Sequence, residues 1–224
     1  MDVLWCSFPC QAFSVARSRK LQQRSDADLG ADILVDLEFL SVLQPKYVFI
    51  ENVPQYVSSK PFKKIVNKLY ELGYWVDFQI LNAADWGIPQ TRRRLILRAV
   101  KDGFVPPLPQ VQKWMGWYEA LADLILILPE SQFATWQIER MPELVTTSLV
   151  ESRNTIREST VRQFDKPAPC VTTTWLHRPC VIPRAFIVDH PGASSNSYAK
   201  EPAHGSVVAM TPRAIARLQS LSDS

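Results

Sequence analysis

The sequence predicts an α/β fold built on a mostly parallel sheet, and three features support this. Two short apolar runs, residues 3–5 and 46–50, are typical of strands buried within a parallel sheet. A helix with one apolar face is predicted over residues 61–72. Two strand-like stretches, residues 74–81 and 95–97, lie on either side of a turn and predict a hairpin. The predicted order of elements is strand, helix, strand, helix, strand, strand. This order is that of the second half of a doubly wound sheet with an antiparallel edge.

The two predicted helices have recognisable ends. Asp32 to Leu43 is mostly apolar with acidic residues between, and we predict one helix that stops before Pro45. In the second helix Gly73 follows as a stop signal. Its apolar side chains recur on one face, which comprises Phe62, Ile65, Val66, Leu69 and Leu72.

A cysteine lies on a stiff turn directly after the first predicted strand. Pro9 fixes its own φ and pushes Phe8 towards an extended conformation, so the loop that carries Cys10 is rigid. A rigidly held thiol at a strand end is how a nucleophile is presented to a substrate. A lone cysteine is more often a small buried hydrophobe. Here the neighbours favour the nucleophile, because residues 8–14 read Phe-Pro-Cys-Gln-Ala-Phe-Ser.

An acidic residue ends the second predicted strand. The apolar run Lys46–Ile50 stops in Glu51-Asn52, at the carboxyl edge of the sheet, where open α/β folds bind ligands. Val3–Trp5 followed by Cys10 has the same layout. Two parallel strands joined by a helix would therefore place Cys10 and Glu51 in one crevice.

Three consecutive arginines precede the last predicted strand. Arg92–Arg94 alone would usually be a solvated surface or a nonspecific phosphate contact. Here they lead directly into Leu95–Leu97, which places them on the sheet. The segment before them reads Gly-Ile-Pro-Gln-Thr and includes Gln90.

Taken together, these motifs resemble the DNA cytosine-5 methyltransferase family. The cysteine segment is similar to the family's nucleophile loop, Glu-Asn-Val to its acid motif, and Gly-Ile-Pro-Gln-x-Arg-x-Arg to its arginine motif. Met210 to Gln219 is similar to the helix that follows and braces the family's target-recognition region. There Thr211 is a good N-cap, Pro212 follows it, and an apolar face is formed by Ile215, Leu218 and Leu221. Ala214 stands where the family usually has an acidic residue.

The resemblance implies a methyl transfer to C5 of a cytosine that is flipped out of double-stranded DNA. Cys10 would add to C6, Glu51 would hold or protonate N3, and Arg92 and Arg94 would fix the cytosine carbonyl and the neighbouring phosphate. For the two arginines, structural ion pairing is a real alternative. The remaining residues implied in substrate binding are Pro9, Gln11, Ser14, Asn52 and Gln90.

The same resemblance divides the chain into three parts. Residues 1–105 are the catalytic part, and the prolines from Pro106 to Pro109 mark its end. Residues 106–209 are the target-recognition region. There the sequence matches the family's motifs only weakly, and the hydrophobic pattern is irregular. Residues 210–224 are the bracing helix, which returns to the catalytic part.

The implied methyl donor is S-adenosylmethionine, but the motifs that bind it are missing. The family uses a glycine-rich turn after its first strand, whereas this chain begins at the fourth strand and none of its seven glycines forms a Gly-x-Gly. The family's closing helix is absent too. We therefore expect the chain alone to bind the donor poorly, and its cofactor-binding residues stay unassigned. Two explanations are open: an incomplete piece of a gene, or one subunit of a split enzyme whose complementary chain carries the cofactor half.

Composition is consistent with a cytoplasmic protein. Hydrophobic residues make up 46% and charged residues 21%, no apolar run approaches a membrane span, and no leader opens the chain. The four cysteines and three histidines have no metal-ligand spacing. A net charge of +3 neither argues for nor opposes nucleic acid. Two other functions are conceivable on the same fold: a non-catalytic DNA-binding remnant, or a transferase for cytosine in RNA.

Overall fold

A computed structural model of the 224-residue chain describes residues 1–8, 31, 33–36, 38–124, 127–129, 148–151, 160–171, 185–188 and 207–221. The chain divides into two compact units. The first unit comprises Met1–Asn82 and Arg93–Gln110, and the second comprises Ala83–Arg92 and Val111–Ser224. The segment between the third and fourth strands thus belongs to the second unit.

The first unit is built on a four-stranded sheet whose strands are β1 (Val3–Ser7), β2 (Tyr47–Asn52), β3 (Tyr74–Asn82) and β4 (Arg93–Lys101). Their order is β1-β2-β4-β3. β1 runs parallel to β2, whereas β4 is antiparallel to both β2 and β3. This confirms the predicted α/β sheet with an antiparallel hairpin at its edge. The hairpin is oriented so that β4 pairs with β2 and β3 forms the outer edge.

The first predicted helix is interrupted. Ala31 and Ile33–Val35 are helical, but a separate helix, α1, covers only Phe39–Leu43. Glu38, just before α1, has the left-handed backbone angle φ 57°. A left-handed residue breaks the run of helical hydrogen bonds, so the prediction of one helix from Asp32 to Leu43 was wrong. Apolar periodicity carries no signal for such a break.

The second helix, α2 (Lys60–Glu71), follows the prediction closely. The Ser59 side chain accepts a hydrogen bond from the Phe62 amide at 3.2 Å, which caps the helix start. Gly73 follows its end with φ 80°, a conformation that glycine adopts without strain. The predicted apolar face is buried at Phe62, Ile65, Val66 and Leu69, with Leu72 partly buried.

The core of the first unit lies on one face of the sheet. Buried strand residues alternate along β2 and β4, as expected for a sheet with one packed face, and the buried face of α2 belongs to the same cluster. The strand residues are Val48, Ile50, Leu95, Leu97 and Ala99. Cys6 on β1 packs against this core, and burial raises the pKa of its thiol.

Among the residues described, β1 has a strand neighbour on one side only. It pairs with β2 and lies at the end of the sheet order. Trp5, at its centre, is 63% exposed, and its ring stacks on Phe49 with the centroids 5.8 Å apart. The first strand therefore presents a free, partly apolar edge.

The second unit contains an antiparallel sheet in the order β6-β5-β7-β8. The strands are β5 (Ser148–Glu151), β6 (Thr160–Gln163), β7 (Ala185–Val188) and β8 (Val207–Ala209). The described residues of this unit also form two short helices, α3 (Trp117–Leu121) and α4 (Pro212–Arg217). The sequence pattern here looked irregular because strands of three or four residues are too short to show alternation.

The helix α4 begins as predicted and ends sooner. Thr211 accepts a hydrogen bond from the Ala214 amide at 3.3 Å. Ile215 and Leu218 are buried, but the helix ends at Arg217 and Leu221 is exposed. Ser220, with φ 56°, turns the chain out of the helical path, so Leu221 does not continue the predicted apolar face.

Helix α4 packs within the second unit. Its buried residues Ala214 and Ile215 share one apolar cluster with Trp117 and Leu121 of α3. Residues 83–92 group with the same unit, and the first unit extends to Gln110. The functional division predicted at residues 105 and 209 stays a prediction, since it differs from this grouping by contacts and is not tested by it. No helix in the described ranges is both long enough and apolar enough to span a membrane.

Gly116, just before α3, occupies a space too small for a side chain. A Cβ there would lie 2.5 Å from the Phe164 carbonyl oxygen and 2.9 Å from the Asp165 Cα. Because both are backbone atoms, Gly116→Ala is expected to destabilise the second unit by about 1–3 kcal/mol. Urea denaturation measures this loss. Gly103→Ala, where the nearest atom is a flexible Val100 methyl at 3.3 Å, is the control and should cost less.

Candidate active site

Glu51 lies near the carboxyl end of β2, directly across from the last residue of β1. The parallel register pairs it with Ser7, so both side chains project from the same face of the sheet. The Ser7 hydroxyl donates a hydrogen bond to Glu51 Oε2 at 2.6 Å. The carboxylate is therefore tied to the strand that leads into the cysteine loop.

Arg94 reaches the same carboxylate from the other side. On β4, Ile96 is the residue opposite Glu51, and Arg94 lies two positions away on the same face. Its Nε lies 2.9 Å from Glu51 Oε1. The two side chains are 23% and 25% exposed, so the pair is sheltered but still accessible. The structure thus brings together two of the residues predicted to be catalytic.

Asn52 fixes the backbone at the start of the cysteine loop. Its side chain is only 2% exposed, and its Nδ2 donates to the Phe8 carbonyl at 3.2 Å. Its Oδ1 accepts from the Val53 amide at 2.8 Å. Both ends of this amide are therefore engaged with backbone. Four predicted site residues that follow Phe8, namely Pro9, Cys10, Gln11 and Ser14, lie outside the described residues.

Gln90 and Arg92 belong to the second unit, where both contact the segment around Val171. Gln90 is 1% exposed; its Oε1 accepts from the Val171 amide at 3.1 Å and its Nε2 donates to the Leu218 carbonyl at 3.3 Å. Arg92 Nη1 donates to the Val171 carbonyl at 3.4 Å and lies 3.5 Å from Cys170 Sγ. The side chain of Arg92 is thus held by backbone and a thiol.

The backbone reinforces this arrangement. The Ala168 amide donates to the Pro89 carbonyl at 2.9 Å, and the Thr91 amide donates to the Ala168 carbonyl at 2.8 Å. The Thr91 hydroxyl donates to the same carbonyl at 3.1 Å. Hydrogen bonds therefore join residues 89–92 to residues 168–171. They fix the backbone position from which the Arg92 side chain extends.

Sequence reasoning missed two side chains at these sites. Ser7 was not singled out, although its position at the end of a strand parallel to β2 was a usable signal. Cys170 was not singled out either, and its contact with Arg92 spans 78 positions of sequence, which no local pattern reveals.

The described residues do not fit the nucleotide part of S-adenosylmethionine. Such ligands need a glycine turn at the carboxyl end of a parallel strand. The two described glycines with a left-handed backbone are Gly73, which follows α2, and Gly87, which follows the 3-10 turn Ala83–Trp86. Neither position follows a parallel strand. No group of three or more metal-ligating side chains occurs within the described part of the chain.

The family model of C-5 cytosine-specific DNA methylases matches residues 1–224. Type II methyltransferase M.HhaI of Haemophilus parahaemolyticus is 31% identical over 153 residues, which are 67% of this chain and 45% of that protein. Type II methyltransferase M1.HgaI of Avibacterium volantium is 34% identical over 133 residues, or 55% of this chain and 37% of that protein. The chain thus spans less than half the length of these relatives.

Solved structures share the fold at low identity. The Entamoeba histolytica methyltransferase EhMeth aligns with a TM-score of 0.62 and 19% identity, over 100% of this chain and 66% of its own. The S. pombe Dnmt2 methyltransferase aligns with a TM-score of 0.54 and 16% identity, over 99% of this chain and 66% of its own.

Proposed function

Because the chain belongs to the C-5 cytosine-specific DNA methylase family, we propose that it transfers a methyl group to C5 of a cytosine in double-stranded DNA. The observation that carries this proposal is the Glu51–Arg94 pair at the carboxyl end of β2. A partly exposed carboxylate that is held by a hydroxyl and a guanidinium suits a polar, hydrogen-bonding base. The base must leave the DNA stack to reach it.

Cys10 is the proposed nucleophile. It follows the last residue of β1, Ser7, by three positions in the sequence. C5 of cytosine is too weak a nucleophile to take a methyl group directly, and addition of the Cys10 thiolate to C6 converts the ring into an enamine with electron density at C5. Loss of the C5 proton after methylation then expels Cys10.

Glu51 and Arg94 are proposed to bind the cytosine ring during this addition. Each carboxylate oxygen of Glu51 can accept two hydrogen bonds. One is accepted from Ser7 or Arg94, and the second is proposed to be accepted from the base. Glu51 holds or protonates N3, which stabilises the charge that develops when Cys10 adds. Arg94 orients the carboxylate and contacts the cytosine carbonyl.

The other predicted site residues have different supporting evidence. Arg92 is proposed to contact the phosphate beside the target base; its bonds to Val171 and Cys170 equally suit a structural role. Asn52 and Gln90 are buried and bonded to backbone, so we propose that they hold their loops in place. Pro9, Gln11 and Ser14 remain proposed substrate contacts.

S-adenosylmethionine is the proposed methyl donor, and it supplies the methyl group when bound. The described residues do not form its site, so we propose that a further segment holds it, on the same polypeptide or on a complementary chain. The free edge of β1, where Val3 and Trp5 are exposed, is a surface that such a segment would cover.

The decisive test is transfer of labelled methyl from S-adenosylmethionine to unmethylated duplex DNA. The chain is assayed alone and with a separately produced segment that contains the family's glycine-rich strand and turn. We expect transfer in the supplemented reaction, and Cys10→Ser should lower it about a thousandfold or more. Cys6→Ser is the matched control and should retain transfer, because Cys6 packs against the core.

Several results would contradict the proposal. DNA binding without transfer in the supplemented reaction would favour a non-catalytic DNA-binding remnant. Transfer to cytosine in RNA in preference to DNA would mean that RNA, not duplex DNA, is the substrate. Transfer by the chain alone would overturn the expectation that the donor site needs another segment.

A further inference from the structure

We propose that Ser7 positions the Glu51 carboxylate and remains its hydrogen-bond partner in both protonation states of that group. This inference rests on the proposed function, because it assigns Ser7 a part in the same reaction. Ser7 belongs to none of the motifs that identify the site, and only its register opposite Glu51 reveals it.

The geometry shows a carboxylate held from both sides. The flanking strand β1 supplies the Ser7 hydroxyl to Oε2 at 2.6 Å, and the flanking strand β4 supplies Arg94 Nε to Oε1 at 2.9 Å. The first distance is typical of a hydroxyl that donates to an ionised carboxylate. Among the described residues each oxygen has one donor, which together fix the plane of the Glu51 carboxylate, and removal of Ser7 leaves Oε2 without this donor.

The two donors respond differently when Glu51 takes up a proton. A guanidinium can only donate, so Arg94 favours an oxygen that carries no proton. A hydroxyl both donates and accepts, so the Ser7 hydroxyl can turn and accept a hydrogen bond from a proton on Oε2. Ser7 therefore keeps Oε2 in place before and after the proton is transferred.

This behaviour matches the step assigned to Glu51. Glu51 first takes up a proton from solvent water on Oε2, and the Ser7 hydroxyl turns from donor to acceptor. When Cys10 adds to C6, that proton moves from Oε2 to N3 of the cytosine, and the hydroxyl turns back to donate. When Cys10 is expelled, the proton returns to Oε2 and the hydroxyl rotates back. The C5 proton leaves to solvent water, and Ser7 keeps its own proton throughout, so Ser7 is a positioning residue.

The first experiment measures the contact itself and does not depend on activity. Denaturant unfolding is compared for the full chain, Ser7→Ala, Glu51→Ala and the double variant. Ser7→Ala should lower the folding equilibrium constant about fivefold when Glu51 is present and less than twofold when it is absent. Equal effects in the two backgrounds would overturn the inference, whatever the chain does to DNA.

The second experiment measures the consequence for the reaction. In the supplemented methyl-transfer assay, Ser7→Ala should lower the single-turnover rate about tenfold, with the Kd for duplex DNA unchanged. Ser7→Thr, which keeps the hydroxyl, should stay within about threefold of the natural protein. An unchanged rate in Ser7→Ala, or an equal loss in Ser7→Thr, would overturn the positioning role. Absence of transfer in the natural chain would instead count against the proposed function, and the unfolding comparison still decides the contact.

Discussion

Glu51→Gln is expected to lower the single-turnover rate of methyl transfer about a thousandfold, since loss of a general acid typically costs 10²–10⁴. Glutamine keeps the size and hydrogen-bonding shape of the side chain. It cannot deliver a proton to N3, and it loses the charge that pairs with Arg94. The rate is measured in the supplemented assay with duplex DNA at saturating concentration.

Asp77→Asn is the matched control for this substitution. Asp77 on β3 also pairs with an arginine of β4, Arg98, in the same sheet. It is not part of the proposed site, so its loss should leave the rate within about twofold and affect only stability, by about 1 kcal/mol or less. If the two variants slow transfer equally, Glu51 acts through the stability of the sheet and its assigned chemistry is wrong.

Trp117→Ala is expected to have the largest effect on stability, a loss of about 3–5 kcal/mol from the second unit. The Trp117 side chain is fully buried among Leu121, Leu124, Ile215 and other apolar residues. Its removal leaves a large cavity that short helices cannot collapse to fill. Chemical denaturation followed by circular dichroism gives the change in free energy of unfolding.

Trp114, three positions earlier, is the control. It is 46% exposed, and its Nε1 donates to Asp85 Oδ1 at 2.8 Å at the surface. Trp114→Ala should therefore cost about 1 kcal/mol. Similar losses for the two tryptophans would mean that the cluster around Trp117 does not form the core of the second unit.

The sheet of the first unit was predictable because its strands and its helix carry strong apolar patterns. Residues 46–50 form a near-continuous apolar run, and the apolar face of α2 repeats over three turns, so both elements were found with boundaries close to those observed. The interruption at Glu38 was not predictable, since a single left-handed backbone angle leaves no trace in the hydrophobic pattern. The four short strands of the second unit were missed because three or four residues are too few to show an alternating apolar pattern.

The candidate site was predictable in part. Glu51 and Arg94 were identified from motifs, and their contact follows from the strand register, which sequence alone does not specify. The roles of Gln90 and Asn52 depend on burial and on backbone partners that are distant in sequence. Ser7 was missed because a serine on a strand is unremarkable until its neighbour across the sheet is known.

The hydrogen bonds of Gln90 have a consequence for the order in which the chain folds during synthesis. All strands of the first sheet have been synthesised by Lys101, whereas Gln90 must wait for Val171 and then for Leu218, 128 positions later. Contacts of such long range form slowly. The nascent protein therefore carries the sheet of the first unit while residue Gln90 in the hairpin segment, residues 83–92, lacks these partners until Leu218 has been synthesised. Over that interval the segment is a natural target for chaperones and proteases.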